Sequence, residues 1–261
     1  MFMSLARQSR LEHTLDRLVR GLAKREFRHS HSAAPAPIKV ILPAYNEAEN
    51  IGAVLARIPA EVGGLRVQPI VVVDGATDQT ERVVREVTAA TVSYVINRGG
   101  GSALKAGYEL ALEDRAEIVV TLDADGQHMP EEIPVLVQPI LEDRADLVNG
   151  SRVLGSYDCD SRLRAAGIVF FNWLVSMLTG THITDCSNAF RAIRVDSLRL
   201  LELRETQFHA SELLIEALKK HLRVIEVPIT IKRRAGGVSK KGPNVKYAIG
   251  FMRVVLGTWL R

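Results

Sequence analysis

Four short apolar runs, each followed by polar or glycine-rich residues, constrain the fold of this chain more than any other feature. The runs lie at residues 38–42, 70–73, 92–96 and 118–122. Segments with helical spacing separate them, at residues 47–58, 80–88 and 102–112. Strands that alternate with helices predict an α/β fold with a mostly parallel central sheet flanked by helices. Ligands bind at the carboxyl ends of such strands, so we expect the active site in the loops there. Those loops contain Tyr45, Asp74, Gly99 and Asp123.

Composition limits the classes of partner. The chain has 261 residues, of which 47% are hydrophobic and 25% charged, as in ordinary globular proteins. Its formal net charge of +4 is too small to require nucleic acid. The charge does favour acidic ligands such as phosphates, or an anionic membrane surface. We therefore expect no nucleic-acid partner, and the sequence leaves the oligomeric state open.

Neither zinc nor a disulfide framework is expected. The two cysteines, Cys159 and Cys186, have no metal-ligand spacing, and they favour a reducing, cytoplasmic setting. No apolar stretch reaches the roughly 18 residues of a spanning helix. The nearest, residues 165–178, contains Asn172 and Ser176 and predicts a buried or interfacial helix. The N-terminal segment carries charges throughout, unlike a signal peptide.

The two termini are predicted to form amphipathic helices. Residues 1–29 combine regularly spaced leucines with many basic residues. Such a helix can lie on an anionic membrane, or it can pack on its own domain or on a dimer partner. We divide the chain into an N-terminal helix and linker, a catalytic domain and a C-terminal amphipathic helix. Their bounds are 1–34, 35–241 and 242–261.

The segment Asp123-Ala-Asp125-Gly-Gln127 follows a buried strand and predicts a metal site. Two carboxylates one residue apart can turn toward the same point, and the Gln127 amide oxygen could complete the ligand set. Mg²⁺ and Mn²⁺ prefer such oxygen ligands together with substrate phosphates. The alternative interpretation is a turn and helix cap ahead of Glu131 and Glu132.

Three further loops are suited to a nucleotide. After the first strand, the Tyr45 ring can stack on a base and Glu47 can accept hydrogen bonds from a ribose or base. Alternatively, this loop is simply a rigid connection. After the second strand, Asp74 can contact a base edge, and Asp78 is suited to a structural N-cap. Residues 97–101 place glycines before a helix, where backbone N–H groups can approach a phosphate.

Several motifs together resemble the family 2 glycosyltransferases of the GT-A (Rossmann-like) fold. Within that family the chain resembles dolichyl-phosphate mannose synthases and related polyprenyl-phosphate glycosyltransferases, over about residues 38–241. The matching segments are VILPAYNEAENI, VVVDGATDQT, NRGGGSALKAGYELA, VVTLDADGQH, VNGSR, DCSNAFRAI and KRRAGGVSK.

The resemblance implies a role for each matching residue. A nucleoside site is implied for Pro43, Ala44, Tyr45, Glu47, Asp74, Asp123 and Ala124. A site for Mg²⁺ or Mn²⁺ on the donor diphosphate is implied for Asp123, Asp125 and Gln127. Sugar or acceptor contacts are implied for Asp185, Asn188, Arg191, Glu212 and Lys240, although Glu212 equally suits a helix N-terminus. We assign catalytic roles to Asp125, Arg152, Arg164 and Arg234.

The implied reaction is the inverting, metal-dependent transfer of a hexose from a nucleotide sugar to a polyprenyl or dolichyl phosphate. A lipid phosphate is already anionic, so no strong general base is needed. Arginines would hold the two anionic reactants together. GDP-mannose is the first candidate donor. The alternatives are a UDP-sugar of the glucose type, a soluble acceptor, and a non-catalytic nucleotide-sugar-binding scaffold.

Two positions depart from the family pattern. Val73 replaces the first of two aspartates, and Gly100 replaces a lysine that would meet the diphosphate. We expect Arg98 to be the residue that could substitute for that lysine. The apolar segments 165–178 and 247–260 predict how the lipid is reached, as interfacial helices on the cytoplasmic face of a membrane. They could equally be core helices or an oligomer contact.

Overall fold

The computed structural model describes residues 2–30, 36–87, 90–157, 162–233 and 244–261, which form eight strands and nine α-helices. The strands are β1 Ile38–Ala44, β2 Glu61–Val62, β3 Leu65–Asp74, β4 Ala90–Tyr94, β5 Ile118–Thr121, β6 Leu147–Tyr157, β7 Arg191–Arg194 and β8 Val224–Ile231. The helices are α1 Phe2–Ser30, α2 Ile51–Ala56, α3 Thr80–Glu86, α4 Gly100–Glu113, α5 Ile133–Leu141, α6 Arg162–Thr179, α7 Val195–Leu198, α8 His209–Lys219 and α9 Asn244–Leu260.

All the long strands belong to one mixed sheet. Its order is β4-β3-β1-β5-β7-β6-β8, and the first four strands are parallel, as the sequence predicts. Strand β7 runs antiparallel to both β5 and β6, while β6 and β8 are parallel to each other. The carboxyl ends of β1, β3, β4 and β5 therefore meet at one edge, where the polar loops lie.

Several elements in the first half of the chain differ from the prediction. Helix α2 begins only at Ile51, because Asn46 has a left-handed φ of 53° and is hydrogen-bonded to Thr77 of the neighbouring loop. Strand β4 ends at Tyr94, and Val95 beyond it is 94% exposed. The short strand β2 was not predicted. It pairs with β3 across Gly63 and Gly64, whose positive φ angles suit a two-residue hairpin turn.

Apolar side chains alternate between the two faces of the sheet and form two cores. One core packs β1, β3 and β5 against α2 and α5, and includes Val40, Leu42 and Val71. The other includes Ile41 and Val72 and packs against α4, α6, α8 and α9. The alternation of the three consecutive residues at 40–42 is what a strand buried on both faces requires.

Both terminal helices pack on the second core. Ala23 and Phe27 of α1 are buried there, and Lys24 forms ion pairs with Glu109 and Glu113 of α4. Phe251 of α9 lies against the α6 aromatic residues. The buried face of α1 therefore packs on its own domain, which is one of the interpretations that the sequence allows for this helix. None of the described helices is long and apolar enough to cross a membrane.

We predict that Gly75→Ala destabilises the fold far more than Gly64→Ala. Both glycines have positive φ angles, 64° and 77°, and the left-handed conformation alone costs an alanine about 1–2 kcal/mol. A Cβ at Gly75 would also lie 2.2 Å from the backbone nitrogen of Asn97, whereas nothing lies within 4 Å of one at Gly64. In urea, the free energy of unfolding of Gly75→Ala should be lower than that of Gly64→Ala by about 1–3 kcal/mol. Equal losses in the two variants would contradict the close approach of the two loops.

Candidate active site

A cavity of about 260 Å³ lies at the carboxyl ends of the parallel strands. Twelve residues from the loops after β1, β3, β4 and β5 and from α8 line it. They are Pro43, Ala44, Tyr45, Glu47, Asp74, Asn97, Gly99, Gly100, Asp123, Ala124, Asp125 and His209. The structure thus brings together all seven residues predicted to hold the nucleoside, and adds Asp125 of the predicted metal pair.

The loop after β1 is held rigidly around Glu47. The Glu47 backbone N–H donates to the Thr80 hydroxyl over 2.8 Å, and its carboxylate accepts the Asn50 side-chain amide at 2.9 Å. Asp78 accepts the N–H groups of both Thr80 and Ala48. Its role is structural, but the N-cap position of α3 is occupied by Gln79 and not by Asp78 as predicted. These contacts fix the entrance to α2 and α3, and with it the position of the loop on the cavity wall.

Asp74 fastens the glycine-rich loop to the end of β3. Its two carboxylate oxygens accept the backbone N–H groups of Arg98 and Gly99, at 2.7 and 2.8 Å. The side chain is buried, and burial raises the pKa of Asp74 above its usual value, against the opposing effect of these N–H groups. Asp74 therefore shapes the cavity that it also lines. The direct contact with a base that the sequence suggests stays a prediction.

Arg98 does not take the place of the lysine missing at Gly100. Its guanidinium donates to the backbone carbonyl of Glu12 in α1 over 3.1 Å, and it is not among the residues that line the cavity. Asp74 holds the Arg98 backbone N–H at the cavity, and the Arg98 side chain extends away from the cavity to α1.

Asp123 and Asp125 extend from β5 into the cavity. Gly126 adopts a φ of 75° directly after them, and the Gln127 N–H donates to Asp125 over 3.1 Å. The Gln127 side-chain NH₂ donates to the Lys232 carbonyl, a bond that does not use its own amide oxygen. No group of three or more His, Cys, Asp or Glu suited to a metal occurs among the described residues. A bound cation would therefore be held by two carboxylates, the Gln127 oxygen and the ligand's phosphates, which is a set that fits Mg²⁺ or Mn²⁺.

His128 connects this acidic pair to the neighbouring strand. Its Nδ1 lies 3.9 Å from an Asp123 carboxylate oxygen, and its Nε2 lies 2.9 Å from the Asn188 side-chain oxygen. Asn188 in turn donates to the Gly150 carbonyl over 2.6 Å and is buried. Asn188 is predicted to contact the sugar or the acceptor. In the structure its side chain instead contacts His128, which follows the segment 123–127.

Arg152 and Asp185 form a buried ion pair. The Asp185 carboxylate is 2.6 Å from Nε and 3.0 Å from Nη2 of Arg152, and Nη2 also donates to Ser187. The guanidinium lies over the Tyr157 ring, 5.3 Å from its centroid. Burial alone would lower the pKa of Arg152, but Asp185 outweighs it and the pKa is raised. Of the two roles considered for Asp185, the structure shows the one of holding an arginine.

Arg191 and Glu212 support the site from within rather than contacting it. Arg191 is 1% exposed and donates to the carbonyls of Ala210 and Asn188. The Glu212 carboxylate is fully buried, accepts the N–H groups of two loop residues and forms an ion pair with Arg261. Neither residue lines the cavity, so the predicted contacts of both with sugar or acceptor are not seen. Both side chains satisfy backbone groups that would otherwise be buried without partners.

The side chains of three predicted cations lie outside the part of the chain that the structure describes. Arg164 lies in the first turn of α6, but its side chain is outside the described part, as are Arg234 and Lys240 entirely. The described residues before Arg234 end at residue 233, close to Gln127. The Lys232 N–H donates to the Gln127 carbonyl over 2.8 Å. Lys232 therefore lies beside Gln127.

His209 was not predicted as a site residue from the sequence. It lines the cavity, and neither ring nitrogen bonds to any described residue, although both are buried. Burial, together with the charges of Arg191 and Lys105, lowers the pKa of His209 to about 3, so its ring is neutral. A single histidine at the first position of a helix carries no sequence signal that would have identified it.

Comparisons with known proteins agree with this geometry. Residues 39–201 match the family described as Glycosyl transferase family 2. The chain is 30% identical over 214 residues to a UDP-N-acetylglucosamine–dolichyl-phosphate N-acetylglucosaminyltransferase of Methanococcus voltae, with 74% of this chain and 84% of the relative covered. It is 31% identical over 223 residues to a polyprenol monophosphomannose synthase of Mycolicibacterium smegmatis, with 80% and 83% covered.

A solved structure shares the fold. It is the glucosyl-3-phosphoglycerate synthase of Mycobacterium tuberculosis in complex with Mn²⁺, UDP and glucosyl-3-phosphoglycerate. The TM-score is 0.68 at 22% sequence identity, over 85% of this chain and 80% of that one. The match confirms the GT-A arrangement of a central sheet flanked by helices.

We predict that Asp185→Asn destabilises the protein by about 3–5 kcal/mol, because it leaves the Arg152 charge buried without its partner. Adding Arg152→Met should recover a large part of that loss. Glu81→Gln, which breaks the exposed pair with Arg85, is the matched control and should cost less than about 1 kcal/mol. Chemical denaturation measures all three variants. A loss for Asp185→Asn no larger than that for Glu81→Gln would show that the buried pair is not a stabilising constraint.

Proposed function

The chain belongs to glycosyl transferase family 2, and from this premise we propose that it moves a hexose from a nucleotide sugar to a polyprenyl or dolichyl phosphate. The observation that carries the proposal is the cavity in which the loops after β1 and β3 face Asp123 and Asp125. One wall is suited to a nucleoside and the other to the metal-bound diphosphate. GDP-mannose is the first donor to test.

The nucleoside would lie against Tyr45 and Glu47, on a loop that Thr80 and Asp78 hold in place. The positive end of α4 would face the phosphates, since Gly99 and Gly100 line the same cavity. The Gly99 and Gly101 N–H groups are themselves bonded to Asp74 and to the Thr206 carbonyl. Asp123, Asp125 and Gln127 would hold Mg²⁺ or Mn²⁺. When bound there, the cation would offset the negative charge that develops on the leaving diphosphate.

The acceptor phosphate would be held by arginines. Arg152 is oriented by Asp185 and Ser187, and we assign the same purpose to Arg164 and Arg234, with Lys240 nearby in the chain. A phosphate monoester is nucleophilic as the anion, so the residues need only to bind and align it. The sugar would then be transferred in one displacement, with inversion at its anomeric carbon.

The isoprenoid tail would lie on the outer face of α6. Four large apolar side chains there are exposed by 45–68%: Val169, Phe170, Trp173 and Met177. Apolar residues are also exposed on α9, which packs beside α6. Such a surface fits a lipid tail or the membrane interface, and we propose peripheral attachment on the cytoplasmic face.

A UDP-sugar is the second candidate donor. The relative from Methanococcus voltae is named for UDP-N-acetylglucosamine and dolichyl phosphate, and the chain is as similar to it as to the mannose synthase. Val73 lies in β3 beside Asp74, and Gly100 begins α4 at the cavity, so both departures would act on this choice. Side-by-side screening of GDP-mannose and UDP-hexoses decides between the two donors.

We predict that Asp125→Ala lowers transfer to a short polyprenyl phosphate by about 100-fold or more, because one of two metal carboxylates is lost. Chelation of Mg²⁺ and Mn²⁺ should have the same effect on the unaltered protein. Asp196→Ala, at an aspartate whose side chain is 86% exposed, is the control and should retain full activity. Transfer that survives both Asp125→Ala and chelation would rule out the metal-dependent mechanism.

We predict that Phe170→Glu combined with Trp173→Glu raises the KM for polyprenyl phosphate by about tenfold or more. A glutamate cannot replace the apolar contact, which is worth about 1.5–3 kcal/mol for a large side chain. The KM for the nucleotide sugar should not change, because α6 does not line the donor cavity. Val135→Glu, at an exposed residue of α5, is the control. An unchanged KM for the lipid would place its tail elsewhere.

A further inference from the structure

Helix α1 carries an apolar stripe that faces away from the protein. Leu11, Leu15, Leu18 and Leu22 are exposed by 64%, 41%, 60% and 69%. At about 100° per residue, their spacing of four, three and four places all of them within roughly 60° of the helix circumference. We call these four residues the leucine stripe. It is a contiguous exposed surface, not a set of scattered leucines.

The leucine stripe is not the seam by which α1 packs. The opposite face of the helix holds the buried residues Asp16, Ala23 and Phe27, which lie against β4 and α4. The core that receives α1 also receives α6 and α9. The leucine stripe is therefore exposed on the same side of the sheet as the apolar surface of α6.

Charge indicates what covers the leucine stripe. Residues 2–30 contain seven Arg and Lys against three Asp and Glu, whereas the rest of the chain contains equal numbers of basic and acidic residues. The whole net charge of +4 thus resides in α1. On the helix circumference Arg25 lies about 20° from the stripe on one side and Glu26 about 20° from it on the other. The exposed Arg17 and Glu12 lie farther round on the same two sides. An anionic lipid surface matches an apolar stripe on a cationic helix, whereas a second copy would bring two cationic helices together.

The inner face of α1 is connected to the donor cavity. The Ser102 hydroxyl in the first turn of α4 donates to the Asp16 carboxylate, and the Arg98 guanidinium donates to the Glu12 carbonyl. Both donors belong to the segment around Gly99 and Gly100, which line the cavity. A surface that holds α1 therefore also sets the position of the glycine-rich loop relative to that surface.

We propose that the leucine stripe docks α1 on an anionic membrane surface and so fixes the donor cavity relative to the lipid. The inference deepens the proposed function, since it identifies a lipid contact for an enzyme with a lipid acceptor. It concerns a helix that precedes the family match at residues 39–201. The residues that carry it are therefore separate from those of the catalytic site.

The test is co-sedimentation of the full chain with vesicles of phosphatidylcholine, with and without phosphatidylglycerol. The unaltered protein should bind the anionic vesicles, and Leu15→Glu combined with Leu18→Glu should reduce that binding at least about tenfold. The control Val135→Glu, on the opposite face of the sheet, should bind like the unaltered protein. Both variants should keep the thermal stability and the GDP or UDP affinity of the unaltered protein, because the leucines are exposed. Leu22→Glu alone serves if the double variant does not fold.

Three results would overturn the inference. They are no binding of the unaltered protein to anionic vesicles, undiminished binding of the double variant, and a dimer in light scattering that the double variant dissociates. The last result would identify the stripe as a self-association surface. A separate assay tests the proposed function. It measures transfer to a short polyprenyl phosphate in detergent, where no vesicle is present, and absence of transfer there would contradict the proposed function alone.

Discussion

The donor cavity depends on one buried carboxylate. Asp74 ends β3 and holds the glycine-rich loop through two backbone N–H groups, while Gly75 lets the two loops approach to contact. Two further contacts fix the start of α4, the Gly101 N–H bond to the Thr206 carbonyl and the Ser102 bond to Asp16. Asp74 adds the contact that fixes the glycine-rich loop opposite Asp123 and Asp125. Because the Asp74 carboxylate is buried, it needs these two N–H groups as partners, and this requirement fixes the geometry of the cavity.

Buried charges hold backbone and side chains in the same way around Arg152 and the start of α8. Asp185 holds Arg152, and Arg191 and Glu212 satisfy backbone groups around the start of α8. Each of these side chains is nearly inaccessible to solvent. A buried charge is costly unless it is paired or hydrogen-bonded, and each of these has such contacts. They set the positions of the loops so that the groups which touch substrate need little reorganisation when it binds.

Much of the fold could be predicted from the chain itself. The parallel order of β1, β3, β4 and β5 follows from apolar runs alternating with helices, and the cavity at their ends follows from that order. The residues predicted to hold a nucleoside come from the family resemblance, and all seven line this cavity. The roles of Arg98, Arg191 and Glu212 could not be predicted in this way, because a charged side chain can face either a ligand or the backbone. Only the three-dimensional packing decides whether such a side chain faces a ligand or the backbone. His209 was not predicted because packing alone brings it to the cavity.

The central claim is that a lipid phosphate attacks the sugar directly in this site. The most direct measurement is the anomeric configuration of the sugar in the lipid product, determined by nuclear magnetic resonance after transfer from a donor of known configuration. Direct attack predicts a polyprenyl-phosphate sugar with the configuration opposite to that of the donor. Retention of configuration, or release of free sugar with no lipid product, would contradict the account.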